Sequence, residues 1–382
     1  MSVDRPRVAW VTNDLPPLSG GIQQFVASLL GRTADAATLV LGPAPPDDRV
    51  IAARAFDASG PWRTLRARGR VLPTRRSASW LVPHLVAHRP DVVVIASVWP
   101  LGRLAGALRR ATGAPVLGIT HGAEAGLASG PARGLLRAVA RDVDLLTVIS
   151  DHTSEAVGRV LDVPLERLSP GVDTRRFAPD AHSEAAGALR RRWGVPRDAP
   201  VVGCVARLVP RKGQDMLLDA WSEVRRVHPD ARLVLVGEGP SRDRLTRRAR
   251  RLPGAHVVGP VTWDELPAAY AALDVFAMPV RTRLGGLDVE GLGISMLEAQ
   301  AVGIPVVTGR SGGAPETVRD ARVGTVVDGR DRSAVADAIV RWLDDGDGRA
   351  AVGTLGPELA RGWSWDAVAT RFDTLVAGLA GW

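Results

Sequence analysis

Two glutamates with seven residues between them form the most chemically suggestive pattern in the sequence. Glu290 and Glu298 flank a glycine-rich turn and the start of an apolar run, Ile294–Val302, which predicts a helix. Glycines let backbone N–H groups approach a ligand, and a helix points the positive end of its dipole at anions. Carboxylates accept hydrogen bonds from neutral hydroxyls. This combination predicts a nucleotide-sugar site that includes Gly293 and Ile294. The alternative is a surface turn with solvated acids.

A second pattern places three cations just before a helix. Arg207, Arg211 and Lys212 follow the apolar run Val201–Ala206, and Lys212 is the only lysine in the chain. Cations at the positive end of a helix are unfavourable unless an anion compensates them. We therefore predict that Arg207 and Lys212 clamp a diphosphate. A solvated basic turn is the competing interpretation.

Two turns in the first half of the chain could add ligand contacts. Gly20 and Gly21 open a helix, where a glycine pair lets the backbone approach a phosphate, although a plain strand-to-helix turn would use the same residues. His121 follows the apolar run Pro115–Ile119 and precedes Gly122. Its place after a strand makes it a candidate site residue, and a structural histidine is the alternative.

The acidic patterns do not predict a metal site. Asp142-Val143-Asp144 has a D-x-D form, but it precedes an apolar strand instead of following one. The acidic segment Asp344–Asp347 resembles a solvated helix end, and His121 has no second His or Cys at ligand spacing nearby. A cationic clamp would make a metal unnecessary, so we predict neither a metal ion nor another cofactor.

Short apolar runs alternate with helix-like segments along the chain, which predicts parallel sheets covered on both faces. The expected strands are Arg7–Thr12, Ala37–Leu41, Asp91–Ala96, Pro115–Ile119, Asp144–Ile149, Val201–Ala206, Arg232–Val236, His256–Val258, Val275–Met278, Ile304–Thr308 and Thr325–Val327. The expected helices include Ile22–Leu30, Leu101–Ala111, Arg133–Arg141, His152–Leu161, Gln214–Val227, Arg242–Arg251, Ile294–Val302 and Asp331–Leu343.

The alternation lapses at Ser169–Ser183, where proline, glycine and charge indicate a hinge. We therefore predict two doubly wound α/β domains, 1–178 and 179–362, with the helix-like segment 363–382 completing the first. Open parallel sheets bind ligands beyond the carboxyl ends of their strands, so we expect the two domains to face each other across a ligand-binding cleft.

Composition limits where the protein works. The single cysteine, Cys204, rules out an intramolecular disulfide and favours a reducing compartment. The N-terminal residues lack the apolar run of a signal peptide, and no apolar stretch reaches spanning length. We expect a cytoplasmic protein, with the inner face of the plasma membrane as a site of peripheral contact.

The net charge of +8 comes from dispersed arginines with few interleaved aromatic residues, which argues against nucleic acid as a partner. One acid-free stretch, Arg63–Trp80, combines six arginines with bulky apolar residues, and Arg133, Arg137 and Arg141 form one stripe of a helix. Such segments can hold a protein on an anionic membrane surface, and a solvated face explains them equally well.

Taken together, these motifs resemble the retaining glycosyltransferases of family 4, which have the GT-B fold of two Rossmann-like domains. The shared motifs are Gly20-Gly21, Thr120-His121-Gly122, Ser169–Asp173, Arg207 with Lys212, Glu290-x7-Glu298 and Gly312–Glu316. Three longer segments, VTNDLPPLSGGIQ, RLVPRKGQD and the stretch from Met278 to Val307, are similar to actinobacterial α-mannosyltransferases that act on phosphatidylinositol mannosides with GDP-mannose.

The resemblance implies a hexosyltransferase and assigns its residues. It gives Gly20, Gly21, Arg207 and Lys212 to the donor diphosphate and Glu298 to its ribose. It gives Glu290 and His121 to the transferred sugar, and a glycolipid to the acceptor site.

The sequence departs from the family at Ala123, because His121-Gly122-Ala123-Glu124 stands where His-Gly-His-Glu is expected. Three other functions remain open: a family-4 transferase with another nucleotide sugar and acceptor, a regulatory protein that binds nucleotide sugars, and a basic nucleic-acid binder.

Overall fold

The computed structural model describes residues 5–18, 20–130, 132–179 and 181–382. Parts of the expected hinge Ser169–Ser183 and of the loop before Gly20 lie outside these ranges. The chain divides into two compact units, one formed by the residues up to Gly171 together with Trp365–Trp382, and the other by Val172–Ser364. The boundaries expected from the sequence lie after residues 178 and 362.

The N-terminal unit is built on one parallel sheet with the strand order β3-β2-β1-β4-β5-β6-β7. The strands are β1 (Val8–Val11), β2 (Leu39–Gly42), β3 (Arg63–Arg66), β4 (Val92–Ile95), β5 (Val116–Ile119), β6 (Leu145–Val148) and β7 (Leu165–Arg167). The helices are α1 (Gly21–Thr33), α2 (Val50–Asp57), α3 (Arg75–His88), α4 (Val98–Leu101), α5 (Ala105–Thr112), α6 (Ala123–Ser129), α7 (Arg133–Ala140) and α8 (Asp151–Gly158).

The C-terminal unit repeats this plan, with the order β10-β9-β8-β11-β12-β13, again parallel. Its strands are β8 (Val201–Val205), β9 (Arg232–Val236), β10 (Ala255–Gly259), β11 (Val275–Met278), β12 (Val306–Gly309) and β13 (Gly324–Val327). Its helices are α9 (Ser183–Arg192), α10 (Gln214–Val227), α11 (Arg242–Ala249), α12 (Leu266–Ala271), α13 (Ile294–Val302), α14 (Arg332–Asp344) and α15 (Gly346–Arg361).

The last helix, α16 (Trp365–Ala380), packs on the N-terminal unit although it ends the chain. Trp365, Phe372 and Val376 are buried in one cluster with Trp10 and Phe25. The rings of Trp10 and Phe372 lie 5.1 Å apart, so the helix closes a core face that would otherwise expose aromatic surface.

The buried strands lie close to their predicted positions, because apolar runs such as Val92–Ile95 are covered on both faces. Two strands were not predicted. β3 and β7 read Arg-Thr-Leu-Arg and Leu-Glu-Arg, and they form the two edges of the first sheet, where charged side chains reach solvent. The prediction of a single helix over Leu101–Ala111 was wrong, because a 3₁₀ turn, Gly102–Leu104, separates α4 from α5.

Candidate active site

The loop after β8 brings the predicted cations to the start of α10. It runs through Arg207, a 3₁₀ turn at Pro210–Lys212 and then Gly213. Gly213 has φ +77°, and a Cβ there would lie 2.1 Å from the carbonyl oxygen of Pro279. Only glycine combines that backbone conformation with so close an approach, which fixes the path of the loop.

Lys212 is buried and pairs with the first glutamate of the motif. Its Nζ lies 2.9 Å from Oε2 of Glu290, and the side chains are only 11% and 8% exposed. Arg211 adds a weaker contact, with its Nε 3.5 Å from the same oxygen. Buried charges persist only where they are paired, so Lys212 and Glu290 stabilise each other in the unliganded protein.

The Gly312-Gly313 turn supports Glu290 from its backbone side. The N–H of Gly313 donates to the carbonyl oxygen of Glu290 at 3.1 Å. Gly312 has φ +56°, and a Cβ there would lie 1.9 Å from that carbonyl oxygen. The glycine pair, far along the chain from the glutamate, therefore holds its main chain in place.

Glu298 lies in α13, and Gly293 and Ile294 form the start of that helix. Gly293 has φ +101° and occupies the N-cap position without a side-chain cap among the described residues. No acidic residue lies in the first turn, so the N-terminal N–H groups are suited to an anion. Burial raises the pKa of the Glu298 carboxyl to about 7, while the Tyr270 hydroxyl and the charges of Lys212 and Arg176 oppose the rise.

Three of the predicted residues of the C-terminal unit, Lys212, Glu290 and Glu298, interact with one another. Lys212 contacts Glu290 directly and acts electrostatically on Glu298. Arg207 is tied to the same loop, because the Gln214 amide donates to its carbonyl oxygen at 3.1 Å. The Arg207 side chain is exposed and has no ion pair within the described chain, so its charge is available to a ligand.

In the N-terminal unit, the two glycines begin α1. A Cβ at Gly20 would meet the Gln23 amide at 2.4 Å, whereas a Cβ at Gly21 would meet nothing within 4 Å. Asp14 organises this region, because it accepts hydrogen bonds from Gln23 at 2.7 Å and from Ser97 at 2.6 Å. Its location after β1 was visible in the sequence, but nothing there indicated these partners.

His121 follows β5 and has a defined orientation. Its Nε2 lies 2.6 Å from the carbonyl oxygen of Ala96, so Nε2 carries the proton. Glu124 accepts from the backbone N–H groups of His121 and Gly122 at 3.0 and 3.1 Å. The carboxylate thus caps this turn. Ala123, which stands where the family motif has histidine, is the first residue of α6.

The D-x-D pattern has a structural role. Asp144 accepts from the Val116 N–H at 2.8 Å and pairs with Arg109 at 3.0 Å, which fixes the start of β6 against β5. Among the described residues, no three His, Cys, Asp or Glu side chains are grouped so that they could hold a metal ion.

The acid-free stretch forms β3, a loop and the start of α3, and it lines a cavity of about 590 Å³. Arg66 is not free, because it pairs with Asp57 at 2.8 Å. Arg68, Arg70 and Arg76 line the cavity and are exposed, and Leu72 beside them is 52% exposed. Among the described helices, none combines the length and apolar character that a membrane crossing requires.

Two contributors to the site were missed by sequence reasoning. Tyr270 donates a 2.6 Å hydrogen bond to Glu298 from another helix. The Gly237–Gly239 turn packs on the Arg207 loop, because the N–H of Leu208 donates to the carbonyl oxygen of Glu238 at 2.8 Å. The sole tyrosine and the paired glycines were the available signals.

These features match a known architecture. The structure of Anabaena Alr3699/HepE in complex with UDP superposes with a TM-score of 0.79 at 18% identity, covering 97% of this chain and 100% of that chain. Family models described as "Glycosyltransferase Family 4" and "Glycosyl transferases group 1" match residues 19–176 and 199–345. The fold and the two family models together identify a glycosyltransferase with the GT-B fold, as the sequence predicted.

Full-length relatives narrow the assignment. A "GDP-mannose-dependent alpha-(1-6)-phosphatidylinositol monomannoside mannosyltransferase" of Mycolicibacterium smegmatis is 42% identical, over 96% of this chain and 97% of that protein. A "GDP-mannose-dependent monoacylated alpha-(1-6)-phosphatidylinositol monomannoside mannosyltransferase" of Corynebacterium glutamicum is 37% identical, over 98% and 99%. The chain belongs to glycosyltransferase family 4, alongside these mannosyltransferases, and the prediction of a hexosyltransferase is confirmed.

Proposed function

We propose that this enzyme transfers mannose from GDP-mannose to a phosphatidylinositol mannoside. The observation that carries the proposal is similarity over nearly the full chain to relatives named for this donor and acceptor. The arrangement of Lys212, Glu290 and Glu298 in the C-terminal unit supports it, because a cation and two acids suit a diphosphate and the hydroxyls of two sugars.

The proposed donor site takes its residue roles from the family resemblance, and the contacts of Lys212, Glu290 and Glu298 support it. Arg207, Lys212 and the start of α13 at Gly293 and Ile294 hold the diphosphate. Glu298 accepts hydrogen bonds from the ribose, and Glu290 orients the mannose. In the N-terminal unit, the resemblance adds Gly20 and Gly21 for the diphosphate and His121 for the reacting sugar.

The proposed reaction retains the configuration of the anomeric carbon and needs no metal ion. The bond from that carbon to the diphosphate oxygen breaks while the acceptor hydroxyl oxygen attacks from the same face. The hydroxyl proton passes to the departing phosphate oxygen. Arg207, Lys212 and the α13 N-terminus stabilise the growing negative charge, which is the contribution a metal would otherwise make.

We further propose that the exposed arginines beside the 590 Å³ cavity hold the enzyme on an anionic membrane surface, where a glycolipid acceptor resides. Arg68, Arg70 and Arg76 supply charge, and Leu72 supplies apolar surface. Basic residues next to exposed apolar side chains are the combination that binds anionic lipid. The location we propose is the inner face of the plasma membrane.

To test the proposal, the enzyme is given GDP-mannose or UDP-glucose, each with phosphatidylinositol or phosphatidylinositol monomannoside. The products are identified by mass spectrometry. The expected product is phosphatidylinositol monomannoside carrying one added hexose, formed from GDP-mannose. A product from UDP-glucose alone would support another family-4 activity. Tight nucleotide-sugar binding without product from any pair would support the regulatory alternative.

A further inference from the structure

The only tyrosine of the chain lies against the glutamate proposed to bind ribose. Tyr270 is 1% exposed in α12, and its hydroxyl donates to Oε2 of Glu298 at 2.6 Å. The Glu298 carboxylate has no other hydrogen bond or ion pair within the described ranges, and the residue as a whole is half-buried. One carboxylate oxygen is thus anchored by a neighbouring helix, and the other is left for a ligand.

The tyrosine is itself held firmly. Its ring packs between Phe177 and Phe276, with centroid distances of 5.8 and 5.7 Å. Burial and the nearby Glu298 charge raise the pKa of Tyr270 well above its usual value, so the hydroxyl keeps its proton and acts only as a donor toward the carboxylate. The hydrogen bond therefore runs from the tyrosine hydroxyl to the carboxylate wherever Glu298 is ionised.

Other groups around Glu298 define what this hydrogen bond contributes. Burial alone disfavours the charged carboxylate, and Lys212 and Arg176 favour it electrostatically. Of the three interactions that lower the Glu298 pKa, the Tyr270 hydrogen bond has the largest effect, ahead of Lys212 and Arg176. Without it, more of the carboxyl would be protonated near neutral pH, and a protonated carboxyl accepts fewer hydrogen bonds.

We propose that Tyr270 is a positioning residue for nucleotide recognition, because its hydroxyl anchors one oxygen of Glu298 so that the carboxylate presents its free lone pairs to the two ribose hydroxyls. The inference rests on the proposed function, since it assumes that a ribonucleotide donor meets Glu298. It predicts a selectivity for the ribose diol that depends on a residue that need not touch the nucleotide.

The test compares wild-type protein with Tyr270→Phe, which keeps the ring and removes the hydroxyl. Titration calorimetry measures binding of GDP and of 2′,3′-dideoxy-GDP. Wild-type protein should bind GDP at least about tenfold more tightly, the usual value of a hydrogen bond to a charged group. In Tyr270→Phe, affinity for GDP should fall about tenfold while affinity for the dideoxy nucleotide stays within about twofold.

The pH profile gives an independent reading. Binding of GDP-mannose, whose diphosphate diester has no secondary ionisation, should tighten as pH rises through about 7 in wild-type protein, where Glu298 loses its proton. In Tyr270→Phe this rise should move to higher pH, because the lost hydrogen bond favoured the charged form. A tyrosine that only fills space would leave the profile unmoved.

Phe276→Leu is the matched control, because it disturbs the same ring packing and leaves the hydroxyl in place. It should lower the melting temperature without changing the GDP preference or the pH profile. The inference is overturned if Tyr270→Phe keeps the wild-type preference for GDP over the dideoxy nucleotide, or if its affinity for both nucleotides falls equally. A wild-type protein that binds neither GDP nor GDP-mannose would instead overturn the proposed function, and the inference with it.

Discussion

Replacing Lys212 by alanine tests the proposed diphosphate clamp most sharply. The ammonium lies 2.9 Å from Glu290 in a site where both side chains are about one-tenth exposed. Its removal deletes a cation from the proposed donor site. Among the residues that the structure describes, it also leaves the Glu290 carboxylate with a single charged neighbour, Arg211, at 3.5 Å.

The two losses have different sizes and different readouts. A preorganised charge that stabilises a leaving group is worth about a hundred- to a thousandfold in kcat. An uncompensated buried carboxylate costs about 3–5 kcal/mol of folding stability. We therefore expect Lys212→Ala to lose both turnover and thermal stability.

A second substitution separates the two effects. Lys212→Ala combined with Glu290→Gln removes the unpaired charge, so the melting temperature should recover while turnover stays low. Lys212→Arg, which keeps the charge in a different geometry, should retain more activity than Lys212→Ala. The assay is GDP release from GDP-mannose with phosphatidylinositol monomannoside, beside a thermal melt. Near-wild-type turnover by Lys212→Ala would refute the clamp.

Three further predictions concern the metal, the buried acid and the basic cavity. Dialysis against EDTA should leave transfer unchanged, and activity restored only by added Mg²⁺ or Mn²⁺ would contradict the metal-free mechanism. Folding raises the pKa of Glu298 from 4.5 to about 7. The free energy of unfolding of the unliganded protein, relative to that of Glu298→Gln, should therefore fall by up to about 3 kcal/mol as the pH rises between these values. An equal pH dependence of unfolding in the two proteins would contradict this. Arg70→Glu with Arg76→Glu should abolish binding to vesicles containing phosphatidylinositol while GDP binding persists, and unchanged sedimentation with vesicles would argue against the membrane contact.

The sequence predicted the buried half of the fold well, because a strand covered on both faces must be apolar throughout. Val92–Ile95 and Val275–Met278 illustrate this, since every residue of each is buried. It failed at β3 and β7, whose outer edges face solvent and tolerate arginine and glutamate. Charged side chains on an edge strand prevent it from pairing with strands of other molecules. They also remove the apolar pattern by which a strand is predicted from sequence.

For the candidate site, the sequence likewise predicted some residues but not the contacts between them. Residues adjacent in sequence to glycine turns, such as Lys212 and Glu290, could be identified because the local pattern already suggests an anion site. Their ion pair could not be, since 78 positions separate them. Tyr270 was missed for the same reason, because an isolated tyrosine has no local pattern that reveals a partner on another helix.

The roles of the individual residues stay predictions until a donor is seen in place. A crystal structure with GDP-mannose tests them most directly. We predict that the diphosphate lies within hydrogen-bond distance of Arg207 and Lys212, with both ribose hydroxyls on Glu298 and the mannose beside Glu290. A nucleotide bound away from these four side chains, or a diphosphate held through a metal ion, would contradict it.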